Sequence, residues 1–216
     1  MLKRLTLLRR RRDLTDAEFR RHWAEPHAAI ARGFDGLVKY NQNRIDSVCH
    51  RSGSTRFEVD GIVELWFSSQ VAVDANQTSA TTEALIEDEP RFLSGLTALS
   101  AGEARATEAG CGARKFMTLA IAENPARLHQ RLCELLRAEL QAEGLRDFAI
   151  EKLRPAFTRP SLWSEPVSPN LVVTTWVDDG PAADKHILAE NAALRIALDM
   201  ETTTSAVYAV DELQIV

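Results

Sequence analysis

The order of strand and helix patterns in this 216-residue chain predicts an α+β fold, with tandem ferredoxin-like βαββαβ units packed sheet to sheet as an intrachain α+β barrel. The first half shows this order, and the second half follows it again. Short echoes support the repeat, since Trp66 and Trp176 each stand near the end of a third predicted strand. One unit leaves a sheet face uncovered, and a second unit covers it. We expect domains at 1–108 and 114–216, with a linker within 101–113.

In the first half, alternation, capping signals and breakers define each element. Strands are predicted at 2–8, 37–48, 57–67 and 99–106, helices at 15–31 and 79–92, and a polar loop at 49–56. Thr15 and Glu18 form a capping-box pattern, and Gly33 and Gly36 end the first helix. Pro26 lies inside that helix and predicts a kink just before His27.

The second half is assigned by the same signals. Asn124 followed by Pro125 marks the start of a helix that runs to about residue 144. Strands are predicted at 115–122, 148–153, 171–177 and 206–216, and a further helix at 182–198.

Composition indicates a globular protein, with 45% hydrophobic and 26% charged residues. A net charge of -5 argues against a nucleic-acid partner, although the run Arg9–Arg12 is either a solvated loop or an anion-binding patch. Cys49, Cys111 and Cys133 lack paired spacing, which indicates free thiols in a reducing compartment. No stretch fits a secretory signal or a membrane span. We therefore expect a cytoplasmic protein without a membrane partner.

The first predicted helix places a histidine in an apolar seam. The seam consists of Phe19, Trp23, His27, Ile30 and Phe34. Two interpretations remain open for this histidine: a neutral core residue with both ring nitrogens hydrogen-bonded, or a catalytic or ligand-binding group at the edge of a cavity.

The order Phe-x3-Trp-x3-His at 19–27, then Gly36, Tyr40 and the strand DGIVELWF at 60–67, resembles the EthD family of the dimeric α+β barrel superfamily. The resemblance covers about the first half of the chain. It implies a ferredoxin-like domain that pairs into a barrel, and relatives that include fungal polyketide dehydratases, cyclases and decarboxylases. It implies a small-molecule ligand with no metal and no organic cofactor, and leaves open whether two chains form a homodimer.

Carried over by position, the resemblance makes His27 the histidine of the cleft between helix and sheet. The candidate catalytic residues are His27, Asp60 and Tyr40, and the candidate substrate-binding residues are Trp23, His22, Trp66 and Phe92. Asp60 and Glu64 are alternatively solvent-facing strand carboxylates, and Tyr40 is alternatively a packed residue with a bonded hydroxyl. The second half departs from the motif, because aligning Thr6 with Thr118 puts Leu135 near the Trp23 position and Glu139 near the His27 position.

Other chemistries have weaker signals. His22 and His27 are five residues apart, so an α-helix would point them to different faces, which argues against a metal pair. Cys49 and His50 are neighbours on a strand and point opposite ways, which argues against a cysteine nucleophile. The sequence contains neither a glycine-rich nucleotide motif nor GxSxG.

A histidine beside a carboxylate and a phenol suits general acid/base chemistry on an activated carbonyl compound. Our first hypothesis is a cofactor-free lyase, cyclase or isomerase for an aromatic or polyketide-like carbonyl compound. The alternatives are a non-catalytic ligand-binding or accessory protein of a degradative pathway, and a cofactor-free monooxygenase.

Overall fold

The computed structural model describes residues 1–53, 56–105, 112–140, 144–178, 187 and 192–216. In this part of the chain the strands are β1 Leu2–Arg10, β2 Leu37–Gly53, β3 Gly61–Phe67, β4 Leu93–Glu103, β5 Ala113–Ala122, β6 Leu145–Lys152, β7 Arg154–Pro155, β8 Leu171–Asp178 and β9 Thr202–Gln214. The helices are α1 Asp16–His22, α2 Ala28–Ala31, α3 Gln70–Asn76, α4 Ala80–Asp88, α5 Pro125–Glu139 and α6 Ala193–Glu201. A π turn, Trp23–His27, joins α1 to α2, and a 3-10 turn, Glu89–Arg91, follows α4.

The strands form one curled sheet in the order β6-β8-β5-β9-β2-β3-β1-β4-β7. Within it, β4-β1-β3-β2 and β9-β5-β8-β6 follow the same ferredoxin-like order of fourth, first, third and second strand. Antiparallel pairing of β2 with β9 joins the halves along one seam. Pairing of β4 with β7, where Leu99 faces Pro155, closes the opposite seam. The predicted α+β barrel is thereby confirmed.

The two tryptophans that suggested the repeat occupy matching places in the sheet. Trp66 of β3 lies opposite Lys3 of β1, and Trp176 of β8 lies opposite Lys115 of β5. Each lysine ammonium lies over the ring that it faces, at 5.0 Å for Lys3 and 5.4 Å for Lys115.

Apolar side chains form three clusters, one inside the barrel and one under the helices of each half. Successive side chains of a strand point to opposite faces of the sheet, so neighbouring residues join different clusters. Val63 packs in the helix-side cluster of the first half, and Ile62 packs inside the barrel. Leu128, Leu132 and Leu136 of α5 form the corresponding helix-side contacts of the second half. Each sheet half therefore has one face under helices and one face in the barrel.

Several predicted boundaries differ from the structure. β2 continues to Gly53 through the predicted polar loop, because its end pairs with β9, a contact between distant parts of the sequence. β3 begins at Gly61 instead of residue 57, and α3 and β7 were not predicted. The last helix begins at Ala193 within the described residues. Much of the predicted span of this helix lies outside the described residues, including His186. So do Cys111 and part of the predicted 101–113 linker. No helix among the described residues is long and apolar enough to cross a membrane.

Candidate functional site

The π turn places His22 and His27 on one side of the first helix. Thr15 and Glu18 form the predicted capping box at the start of α1. Pro26 has no N–H, and the helix around it takes the wider π form, whose hydrogen bonds connect residues i and i+5. The predicted divergence of the two histidines is therefore wrong, because it assumed the α-helical repeat. The carbonyl of Trp23 accepts a hydrogen bond from Gln42 Nε2 at 2.8 Å, which ties the turn to β2.

Asp88, the last residue of α4, bridges the two histidines. His22 Nε2 lies 3.0 Å from Asp88 Oδ1 and 3.1 Å from Oδ2, and His27 Nδ1 lies 3.0 Å from Oδ2. The carboxylate is 4% exposed and His27 is 8% exposed, so the bridge lies largely out of water. We call these three residues the His22–Asp88–His27 cluster.

The bridge fixes where the protons lie. An ionised carboxylate only accepts hydrogen bonds, so His22 Nε2 and His27 Nδ1 must each carry a proton. In neutral His27 the lone pair is therefore on Nε2, which makes no hydrogen bond with any described residue. Burial raises the pKa of Asp88, but the hydrogen bonds from His27 and His22 outweigh it and the net shift is downward. The carboxylate stays ionised at neutral pH and can stabilise a protonated His27.

Aromatic packing holds the imidazoles in place. Phe92 is fully buried, and its ring centroid lies 4.7 Å from that of His22 and 4.8 Å from that of His27. Trp23 is also fully buried, and its indole packs against Gly61 so closely that a Cβ there would lie 2.5 Å from Trp23 Cζ3. Phe92 thus packs against both histidine rings.

The other candidate residues lie elsewhere. Tyr40 is 1% exposed, its hydroxyl accepts a hydrogen bond from Gln42 Nε2 at 2.9 Å, and burial raises its pKa to about 12. Asp60 accepts a hydrogen bond from the backbone N–H of Arg10 at 2.8 Å, beside a surface pocket lined by arginines. Trp66 lies on the barrel side of the sheet, where the Lys3 and Lys39 ammoniums face its ring. The carboxylate at His27 is Asp88.

Asp88 was not among the predicted site residues, although its spacing in the sequence indicates a buried position. Leu85, Asp88 and Phe92 are spaced i, i+3 and i+7, so the carboxylate lies in an apolar helical seam, as His27 does. An ionisable residue in an apolar seam on each of two helices indicates that the two face each other.

A second buried polar group fills one end of the barrel. Glu64 is 1% exposed, with Oε1 2.8 Å from Lys3 Nζ and Oε2 2.6 Å from Lys115 Nζ. Lys3 also contacts Glu151 at 2.7 Å, and Lys115 contacts Glu212 at 2.7 Å. The solvent-facing interpretation of Glu64 is therefore wrong. These ion pairs join strands of the two halves.

No group of three or more His, Cys, Asp or Glu residues in the described ranges is arranged to hold a metal ion. In the His22–Asp88–His27 cluster, one nitrogen of each ring is already directed at the carboxylate. The arrangement suits proton transfer, since a carboxylate that orients an imidazole leaves the opposite ring nitrogen as a base.

The fold and the cluster together define an α+β barrel protein with a histidine–carboxylate site on the helix side of its first half. Residues 11–95 match the model of the EthD domain. The match contains all three residues of the cluster.

Solved structures share the whole barrel at low sequence identity. An anthrone oxidase-like protein has a TM-score of 0.63 at 11% identity, covering 99% of this chain and 93% of its own. A candidate monooxygenase from Fusobacterium nucleatum has a TM-score of 0.59 at 10% identity, covering 97% and 91%. Another from Lactobacillus acidophilus has a TM-score of 0.53 at 11% identity, covering 100% and 94%. The comparison with curated proteins finds no match. These likenesses establish the fold.

Proposed function

We propose that this protein is a cofactor-independent acid/base catalyst that acts as a lyase, cyclase or isomerase on an aromatic or polyketide-like carbonyl compound. The observation that carries the proposal is the Asp88 bridge, which orients His27 while Nε2 of the same ring forms no hydrogen bond with any described residue. His27 is the catalytic base, and Asp88 is a positioning residue that acts through it.

In the proposed reaction, His27 Nε2 removes a proton from a carbon next to the substrate carbonyl and produces an enolate. Asp88 stabilises the imidazolium that forms, because its carboxylate accepts from Nδ1–H. The same proton then returns to a leaving hydroxyl in a dehydration, to another carbon in an isomerisation, or to the alkoxide formed by an aldol ring closure. None of these steps needs a covalent intermediate with the protein.

The test measures proton abstraction directly. Anthrone and a panel of aromatic ketones are incubated in D2O with the full-length protein, and loss of the α C–H signal is followed by NMR. His27→Gln should lower the exchange rate by roughly 10²- to 10⁴-fold, the usual contribution of a general base. Asp88→Asn should lower kcat with little change in KM and shift the pH profile, because the amide neither fixes the tautomer nor stabilises the imidazolium.

The chain offers a matched control in a second histidine–carboxylate pair. His50 Nε2 lies 3.1 Å from Asp199 Oδ1, and that carboxylate is 44% exposed. His50→Gln should leave the exchange rate unchanged. Equal losses in His50→Gln and His27→Gln, or full exchange in His27→Gln, would contradict the proposal.

Two alternatives give different results in the same assay. In a non-catalytic ligand-binding or accessory protein, ketone binding would survive His27→Gln and no ketone would exchange. In a cofactor-free monooxygenase, proton removal would be followed by O2 consumption, which an oxygen electrode measures.

We also propose that the chain consists of two domains, residues 1–108 and residues 114–216. In this proposal the second domain acts as the built-in barrel partner of the first. The matching strand orders support this division, as do the matching Lys3–Trp66 and Lys115–Trp176 pairs. In the described part of α5, leucines face the sheet where the first half has its aromatic and histidine seam.

A further inference from the structure

A cavity of about 270 Å³ lies between the sheet and the helices of the first half, apart from the His22–Asp88–His27 cluster. Its floor is formed by β1 and β3, and α3 and α4 border it on the helix side. The volume equals about nine water molecules at ~30 Å³ each, which suits a compact organic molecule. Phe34, Phe67 and Phe157 contribute aromatic surface.

Two arginines border this mostly apolar space, and they differ in their partners. Arg159 is neutralised, because its Nε and Nη2 lie 2.7 and 3.2 Å from the two carboxylate oxygens of Glu89. Arg4 is half-buried and forms neither a hydrogen bond nor an ion pair with the described residues. Burial lowers the pKa of Arg4, and the attraction of Asp74, an exposed residue of α3, offsets part of this shift.

The Arg4 guanidinium has hydrogen-bond donors that no described residue uses, and a ligand carboxylate can accept two of these hydrogen bonds at once. Thr6, the neighbouring lining residue on β1, has a hydroxyl that also forms no hydrogen bond with the described residues. Among the described lining residues, the Arg4 guanidinium and the Thr6 hydroxyl on the same strand are therefore available to a ligand, in a cavity that phenylalanine rings also line.

We propose that this cavity binds a small aromatic carboxylate, with the carboxylate on Arg4 and the ring among the phenylalanines. The site is independent of the proposed acid/base function, because none of the lining residues belongs to the cluster. Thr82, which lines the cavity, precedes Asp88 by six residues on α4, or about 9 Å along the helix axis at ~1.5 Å per residue.

The probes are 4-fluorobenzoate and 4-fluorobenzamide, which match in size and differ in charge, titrated into the full-length protein and followed by ¹⁹F NMR. We expect the carboxylate to bind at least about tenfold more tightly than the amide. Arg4→Gln should remove this preference, and Arg4→Lys should retain part of it. Val73→Phe, which places a ring in the cavity, should weaken both probes.

Arg12→Gln is the matched control, because Arg12 lies beyond the far end of β1 and its substitution removes the same charge. It should leave both affinities unchanged, and so should His27→Gln, which separates this proposal from the acid/base chemistry. Equal affinity of the unmodified protein for acid and amide, or no binding of either, would overturn the proposal. So would equal losses in Arg12→Gln and Arg4→Gln. If Arg4→Gln does not fold, Arg4→Lys and Val73→Phe decide the outcome.

Discussion

Lys3→Met tests whether the buried lysines and glutamates inside the barrel stabilise the fold by neutralising one another. Lys3 is 2% exposed and pairs with Glu64 and Glu151. Burial lowers the pKa of Lys3, but attraction to these carboxylates outweighs burial and the net shift is upward. After the substitution Glu64 keeps Lys115, whereas Glu151 Oε1 loses its partner and Oε2 already has none in the described structure. One buried carboxylate is then unpaired.

An unpaired buried charge of this kind costs about 3–5 kcal/mol of unfolding free energy. For a chain of this length that corresponds to a decrease in Tm of roughly 6–20 °C. Urea denaturation followed by circular dichroism measures the change. Glu151→Gln added to Lys3→Met should restore much of the loss, because the amide removes the unpaired charge.

Arg11→Met is the control, since Arg11 pairs with Asp13 at the surface, where the two side chains are 40% and 62% exposed. It should leave the midpoint within experimental error. Our account of the barrel interior would be refuted if Lys3→Met behaved like this surface variant, or if the Glu151→Gln double variant were no more stable than Lys3→Met alone.

Three further predictions follow from buried contacts. Gly61→Ala should destabilise the fold by roughly 1–3 kcal/mol in urea, because the added Cβ lies 2.5 Å from the Trp23 ring; an unchanged midpoint would contradict that contact. Glu64→Gln should flatten the loss of stability as the pH falls below about 5. Burial raises the pKa of Glu64, but attraction to Lys115 and Lys3 outweighs burial, and the net shift of the pKa is downward. Ionised Glu64 therefore stabilises the fold above the ordinary carboxyl pKa, and this stabilisation is lost as the pH falls below it. Asp88→Asn should show the same flattening to a smaller extent, and equal pH slopes in variant and unmodified protein would count against the bridge.

Local patterns in the sequence predicted most of the fold because the elements are strongly patterned. The Thr15–Glu18 capping box and the Asn124 cap occur as predicted, since each depends on residues within one turn. At Pro26 the structure has a π turn where a kink was predicted. The end of β2 and the short strand β7 were missed because both exist through pairing with distant strands. Alternation within a strand does not show where such a partner lies.

The candidate site was predicted in part, for the same reason. The buried position of His27 follows from one helical seam. Its carboxylate comes from another helix, 61 residues along the chain. His22 and His27 lie on the same side of the helix because of the π turn. A π turn changes the number of residues per helical turn, and therefore changes which residues lie on the same face. Lys3 and Glu64 alternate with apolar neighbours, and only closure of the barrel determines that their side of the sheet is buried.

The two faces of the sheet hold different kinds of polar group, and this difference predicts which substitutions affect which property. Inside the barrel the lysines and glutamates contact one another between halves, so their substitution should affect stability. On the helix side, His27 Nε2 and the Arg4 guanidinium form no hydrogen bonds with described residues, so substitution of either residue should affect ligands. His27→Gln should lower the free energy of unfolding less than Lys3→Met does, because Asp88 keeps His22 as a partner. Measuring the urea midpoint and α C–H exchange for both Lys3→Met and His27→Gln tests this separation. If Lys3→Met kept its stability but lost exchange activity, the reactive site would lie inside the barrel instead of under the helices.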